Sequence, residues 1–237
     1  MQRPSGVLFD FGDTVIHVES YDTAAGRKRL LEFANNASSI SIEDVMRSDD
    51  EIYGEVKRIK EESMLEVAWQ NLDRLLFETL GISFTISYAE LEKEFWQAAV
   101  KMAPADGIFD VLDILDKNGI KTGIISNTIF SGAVLEEELS RHNLAHRFSF
   151  VITSADYGFR KPHHRIFQIA VKKMELEAQD IWFVGDKLEY DVKGAFHSGL
   201  FPIWYNPRNE PGKPDYEYLE VKDWHEFRDR IEWLCTS

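Results

Sequence analysis

The sequence predicts an α/β protein: a Rossmann-like parallel sheet with helices on both faces, plus an all-helical cap domain. Three observations carry this. Short apolar runs that end on polar residues recur at 6–10, 120–126, 148–154, 181–184 and 202–205. Helical patterning separates the last four of them, as parallel strands with crossover helices require. A helical block of about a hundred residues stands between the first run and the second, so the sheet is interrupted by an insert.

The first strand, Gly6-Val7-Leu8-Phe9-Asp10, is apolar until it meets an acid and a glycine-containing turn, the pattern of a buried parallel strand. The block that follows opens near Tyr21, with a helix at 24–35 and one long amphipathic stretch at 42–80. Ser41-Ile42-Glu43-Asp44 and Ser87-Tyr88-Ala89-Glu90 each place a capping hydroxyl three residues before an acid, so both read as helix starts. Trp69, Phe95 and Trp96 fall on these helices and read as the core of a small bundle rather than as a ligand box. Turn residues at 104–107 end the block. A helix at 108–118 then feeds the strand at 120–126, and helices at 134–142, 165–174 and 192–198 alternate with the remaining strands. Residues 206–215, with three prolines and a glycine, read as a loop. The boundaries are therefore 1–15 with 105–237 for the α/β core and 16–104 for the helical cap. The aromatic-rich tail at 216–233 reads as packing on the sheet edge or on a partner chain, which leaves a homodimer open.

Composition narrows the partners. Lys and Arg number 27 against 41 Asp and Glu, a formal charge of −14, so the averaged surface repels nucleic acid and anionic membranes. A small phosphorylated ligand remains compatible, provided a metal ion or a few local cations reverse the field in one pocket. The single Cys235 forms no internal disulfide, and no apolar stretch approaches ~18 residues, so the chain reads as cytoplasmic, without signal peptide or membrane span.

Ligands of open parallel sheets bind beyond the carboxyl ends of the strands. There the sequence places Asp10, Ser126-Asn127 and Asp186, with Asp191 five residues on and Lys161 in the loop after the strand at 148–154. Carboxylates brought together repel unless a cation sits between them, and an all-oxygen set suits Mg²⁺ better than Zn²⁺. Asp10 and Asp186 are the expected metal ligands; Lys161 and Ser126 are placed to hold phosphate oxygens. Asp10 is also placed to attack phosphorus. Lys161, followed by Pro162, is taken as the inward member of the Arg160-Lys161 pair. His163 and His164 lack the i, i+4 partner of a helical zinc site and read as surface residues. Asp191 has a plainer reading, as the cap of a helix beginning at Val192.

This order of parts resembles the haloacid dehalogenase-like hydrolases. The match lies in Asp10 with Thr14, in Ser126 ending Gly123-Ile124-Ile125-Ser126-Asn127, in Gly158-Phe159-Arg160-Lys161-Pro162 with Ile166-Phe167, and in Phe183-Val184-Gly185-Asp186 with Asp191, Gly194-Ala195 and Ser198-Gly199. The resemblance implies that Asp10 is nucleophile and magnesium ligand and that Gly12 gives a backbone carbonyl to the metal. It implies that Asp186 is a ligand, with Asp191 a ligand or its support, and that Ser126, Asn127 and Lys161 bind the phosphoryl group. The helical insert is then a cap that closes over the site and selects substrates.

One position departs from that family. Its phosphatases usually carry a second Asp two residues after the nucleophile, which protonates the leaving alcohol, and here that residue is Gly12. Neighbouring Asp13 is a candidate substitute, and loss of such help costs ~10²–10⁴-fold in rate. Three readings follow: a slow magnesium-dependent phosphate-monoester hydrolase, a weakly active or inactive member acting as a binding or regulatory protein, and a carbon–halogen hydrolase. The acid cluster argues against the last, whose chemistry needs no metal.

Overall fold

The computed structural model describes residues 2–36 and 40–236. The first strand, β1 (Gly6–Phe9), is followed by β2 (Ile16–Tyr21), then by helices α1 (Thr23–Leu31), α2 (Ile42–Ser63), α3 (Trp69–Thr79) and α4 (Tyr88–Ala99), and by β3 (Val100–Pro104). The remaining elements alternate: α5 (Ile108–Lys117), β4 (Lys121–Ser126), α6 (Gly132–Arg141), β5 (Val151–Thr153), α7 (Ser154–Tyr157), α8 (His164–Met174), β6 (Ile181–Gly185), α9 (Lys193–His197), β7 (Phe201–Tyr205), β8 (Leu219–Val221) and α10 (Trp224–Thr236).

Six strands form one parallel sheet in the order β5-β4-β1-β6-β7-β8. All of β1 is buried because both of its faces are covered. Val7 and Phe9 point into a cluster with Val111 and Leu115 of α5, Val134 and Leu139 of α6, and Phe227 and Ile231 of α10. Leu8 points the other way, toward Ile166, Phe167 and Ala170 of α8 and Ala195 of α9. The tail thus packs on the sheet edge: β8 adds the sixth strand, and Trp224, fully buried, donates its indole N–H to the Thr14 carbonyl at 3.2 Å.

The insert is helical from α1 to α4, and both expected caps are present. The Ser41 hydroxyl accepts from the Asp44 N–H, and Ser87 with Glu90 forms a reciprocal capping box. Trp69, Phe95 and Trp96 are buried; Trp69 and Phe95 pack with ring centroids 5.4 Å apart.

Three local readings are corrected. The ends of the block, expected to be helical, are β2 and β3, which pair antiparallel with Ile16 opposite Pro104. Strands of five and six residues are too short to stand out beside helical periodicity. The stretch at 42–80 is two helices, because α2 stops at Met64 in the left-handed region (φ 56°). There Ser63 Oγ accepts from Leu65 N–H, and residues 64–66 leave the helix to bond with the core: Glu66 N–H donates to Gly158 O and Arg160 N–H to Met64 O. The strand expected at 148–154 shrinks to β5, since Ser154 already begins α7 under a Thr153 cap.

Candidate active site

Because β1 lies between β4 and β6, the residue that follows it is flanked by their carboxyl ends. Phe9 is level with both Ile124 and Val184, so Asp10 follows at the level of Ile125 and Gly185, one residue short of Ser126 on one side and Asp186 on the other. Lys161 and Asp191 reach the same place, and all five line a cavity of about 390 Å³ together with Gly12, Asp13 and Asn127. Apolar walls come from the block side, through Val100 and Met102 of β3 and Trp96 of α4, and from Phe130 and Leu135 of the core.

Lys161 is the pivot. Only 2% exposed, its ammonium donates to Asp10 Oδ1 at 2.6 Å and to the Ile125 carbonyl at 2.9 Å, and lies 2.7 Å from Asp191 Oδ1. Burial disfavours the charged amine, yet Asp10 and Asp191 more than offset it and hold Lys161 above the ordinary lysine range. The acids respond oppositely. Burial raises the Asp191 carboxyl, with Lys161 pulling it down and Asp10 pushing it up. Burial also raises Asp186, against a hydrogen bond from Lys187 Nζ at 2.6 Å.

Ligand oxygens of Asp10, Asp186 and Asp191 lie within 4.8 Å of one another, an arrangement that can hold a metal. Two details fit a cation there. Asp191 Oδ1 is buried without accepting a hydrogen bond, although the Lys161 ammonium is within ion-pair distance. Gly185 exists to admit Asp191: a Cβ at 185 would lie 2.6 Å from the Asp191 Cβ and closer still to its carboxylate. Asp191 therefore faces the cluster from a π turn at 188–192 and does not cap a helix at Val192.

Other predicted residues stand differently. Asn127 uses its side chain on the Lys161 main chain, accepting from the N–H at 2.7 Å and donating to the carbonyl at 2.9 Å, so it positions the lysine loop. Asp13 has a left-handed φ of 58°, and its carboxylate pairs with Arg208 at 2.7 Å, with His17 Nδ1 at 3.8 Å. Gly12 has open space where a Cβ would stand: among the described residues, no atom beyond its chain neighbours lies within 4 Å of the ideal position. Thr14 Oγ1 approaches Asp10 Oδ2 only to 3.4 Å. His163 caps α8 through Nδ1 and stacks on His164, in keeping with a structural role.

Sequence reasoning missed Tyr21, Arg160 and Lys187, which also line the cavity, and Arg208, which engages Asp13 from a segment read only as loop. Strict alternation in β2 would put Tyr21 on the face of His17 and Glu19, and only the register shift between Val18 and Ser20 lets Val18 and Tyr21 line the cavity together. Nothing local marked Arg208, whose partner lies 195 residues away.

The family model for haloacid dehalogenase-like hydrolases matches residues 7–204. A protein of Methanocaldococcus jannaschii named glyceraldehyde 3-phosphate phosphatase is 25% identical over 207 residues, covering 84% of this chain and 83% of that one. Its namesake in Methanopyrus kandleri is 27% identical over 232 residues, covering 89% and 91%. Among solved structures, a 2-haloacid dehalogenase of Pseudomonas syringae superposes with a TM-score of 0.68 at 21% identity, covering 98% and 100%. That likeness concerns the fold.

Proposed function

Since this chain belongs to the haloacid dehalogenase-like hydrolases, we propose that it is a magnesium-dependent hydrolase of small phosphate monoesters working through an aspartyl-phosphate on Asp10. The observation that carries the reading is the convergence of three carboxylates and one buried lysine on a single cavity, an arrangement suited to one cation and one phosphoryl group. The relatives named as phosphatases support it.

Asp10, Asp186 and Asp191, with the Gly12 carbonyl, would hold Mg²⁺, whose chemistry is to neutralise the charge that builds on the phosphoryl oxygens in transfer. Asp10 Oδ1 is engaged by Lys161, while among the described residues Oδ2 meets only the Thr14 hydroxyl at 3.4 Å and keeps a lone pair for attack. The Asp10 oxygen forms a bond to phosphorus as the ester P–O bond breaks, and the departing alkoxide takes its proton from a water molecule. Water then attacks the acyl phosphate, returning the Asp10 carboxylate and inorganic phosphate. Lys161 offsets the negative charge of the phosphoryl oxygens, and Ser126 offers them a hydroxyl donor. The helical block forms the apolar lid of the cavity, and as a cap it would exclude water from the acyl phosphate until turnover.

Phosphate release from an ester panel with Mg²⁺, measured beside Asp10→Asn and Asp13→Asn, tests this. Asp10→Asn is expected to abolish release; unchanged activity would overturn the nucleophile assignment. Because Asp13 is turned toward Arg208, Asp13→Asn is expected to cost far less than the ~10²–10⁴-fold typical of a lost general acid. That pairing, with Gly12, also favours a second reading, a binding or regulatory protein with little turnover. Mg²⁺ binding without phosphate release from any ester would establish it. The third, a carbon–halogen hydrolase, leaves the three crowded acids unexplained; metal-independent halide release would be its mark.

A further inference from the structure

A second chamber of about 550 Å³ lies beside the first, and five residues line both: Tyr21, Asn127, Thr128, Phe130 and Arg160. Only Arg160 among them is a cation. Its guanidinium contacts the buried Glu66 through one nitrogen, and among the described residues its other donors have no acceptor. A guanidinium presents five donors in a fixed fork, so most of that capacity is open. Glu66 is shared. Lys60 Nζ lies 2.8 Å from one of its oxygens, and Ser154 Oγ donates to the other at 2.8 Å. Two cations on one carboxylate leave the Glu66 cluster with one positive charge at the passage between the chambers, while the far wall of the second chamber carries Asp49, Asp50 and Asp73 against Arg27. Deeper in, Arg27 supplies no such charge, because Asp49 and Asp73 both bind it.

The Arg160 main chain is also fixed, since its N–H donates to Met64 O at 2.9 Å and the next residue is held by Asn127. A cation so placed costs little to order when it meets an anion. We propose that Arg160 is a specificity-determining residue that takes a substrate carboxylate, so that the favoured substrates are small phosphate monoesters carrying a carboxylate a few bonds from the ester oxygen. A carboxylate brings one charge against the one in excess, and its planar oxygens match two parallel N–H groups. A second phosphate would bring more negative charge beside Glu66. The inference rests on the phosphoryl reading of the Asp10 cavity.

Isothermal titration in Mg²⁺ with phosphonoacetate and with methylphosphonate, on the wild type, Arg160→Gln and Arg160→Lys, tests it without requiring turnover. Phosphonoacetate is expected to bind roughly 10- to 100-fold more tightly to the wild type, the span of one charge-assisted pair. Arg160→Gln should bring the ratio of the two affinities close to one, and Arg160→Lys should keep part of it. A purely structural role would weaken both ligands together and leave the ratio unchanged. Equal affinities in the wild type, or a ratio that survives Arg160→Gln, would overturn the inference alone; failure of both phosphonates to bind would overturn the phosphoryl reading and the inference with it.

Discussion

At the scale of single residues, the acid left out at position 12 is a matter of chemistry and not of space. Among the described residues no atom beyond its chain neighbours lies within 4 Å of the ideal Gly12 Cβ, and its φ is outside the left-handed region, so a side chain can start there without a clash at Cβ. We expect Gly12→Asp to speed release of alkyl alcohols from phosphate esters by up to ~10²-fold, with less gain for aryl esters, whose leaving groups need no proton. An equal gain on both ester types would show that the new acid does not protonate the leaving group. Gly185 is the opposite case: Gly185→Ala drives a methyl into Asp191, and loss of the Mg²⁺-induced shift in melting temperature is the expected result. Asp10, Ser126, Lys161, Asp186 and Asp191 were legible because each closes an apolar run or follows one by a short loop. What Asp13, Asn127 and Arg160 touch was not, since Arg208, the Lys161 main chain and Glu66 come from distant segments.

At the scale of elements, the helices of the block are organised by a buried charge cluster. Arg27 of α1 binds Asp49 of α2 and Asp73 of α3 while lying over the Phe95 ring of α4 at 4.9 Å. One guanidinium serves two carboxylates, and burial pushes Asp73, 1% exposed, up to about 7 despite Arg27. In the unfolded chain an Asp titrates near ~3.9, so from about pH 4 to 7 the folded protein holds a proton that the unfolded chain has released. This group's stabilisation is complete below pH ~4, declines as pH rises and levels off above ~7. Melting temperatures measured between pH 4 and 8 should therefore fall more steeply for the wild type than for Asp73→Asn; parallel curves would contradict the proton uptake. Helix starts at Ser41 and Ser87 could be read because a cap and its acid lie three residues apart. The break at Met64 could not, because residues 64–66 leave α2 for hydrogen bonds with residues 158–160 of the core.

At the scale of the whole molecule, a chain with a formal charge of −14 crowds three acids into one cavity, so cation binding should register globally. Mg²⁺ at 100 times its dissociation constant stabilises a protein by about 2.7 kcal/mol. For a domain of this size that is roughly 5–10 °C in melting temperature. The shift should vanish in Asp186→Asn; a shift that persists there would place the ion elsewhere. Five of the six parallel strands were legible in the periodicity of the chain, whereas β8, the spatial order of the strands and the ribbon of β2 and β3 emerged only in three dimensions. Because Ile16 faces Pro104 across that ribbon, the chain leaves the sheet and returns to it at neighbouring points. Both covalent connections of the helical block therefore run through one two-stranded ribbon, and its remaining ties to the core are non-covalent ones such as Glu66 N–H to Gly158 O, Trp69 N–H to Ile129 O and Trp96 Nε1–H to Glu138.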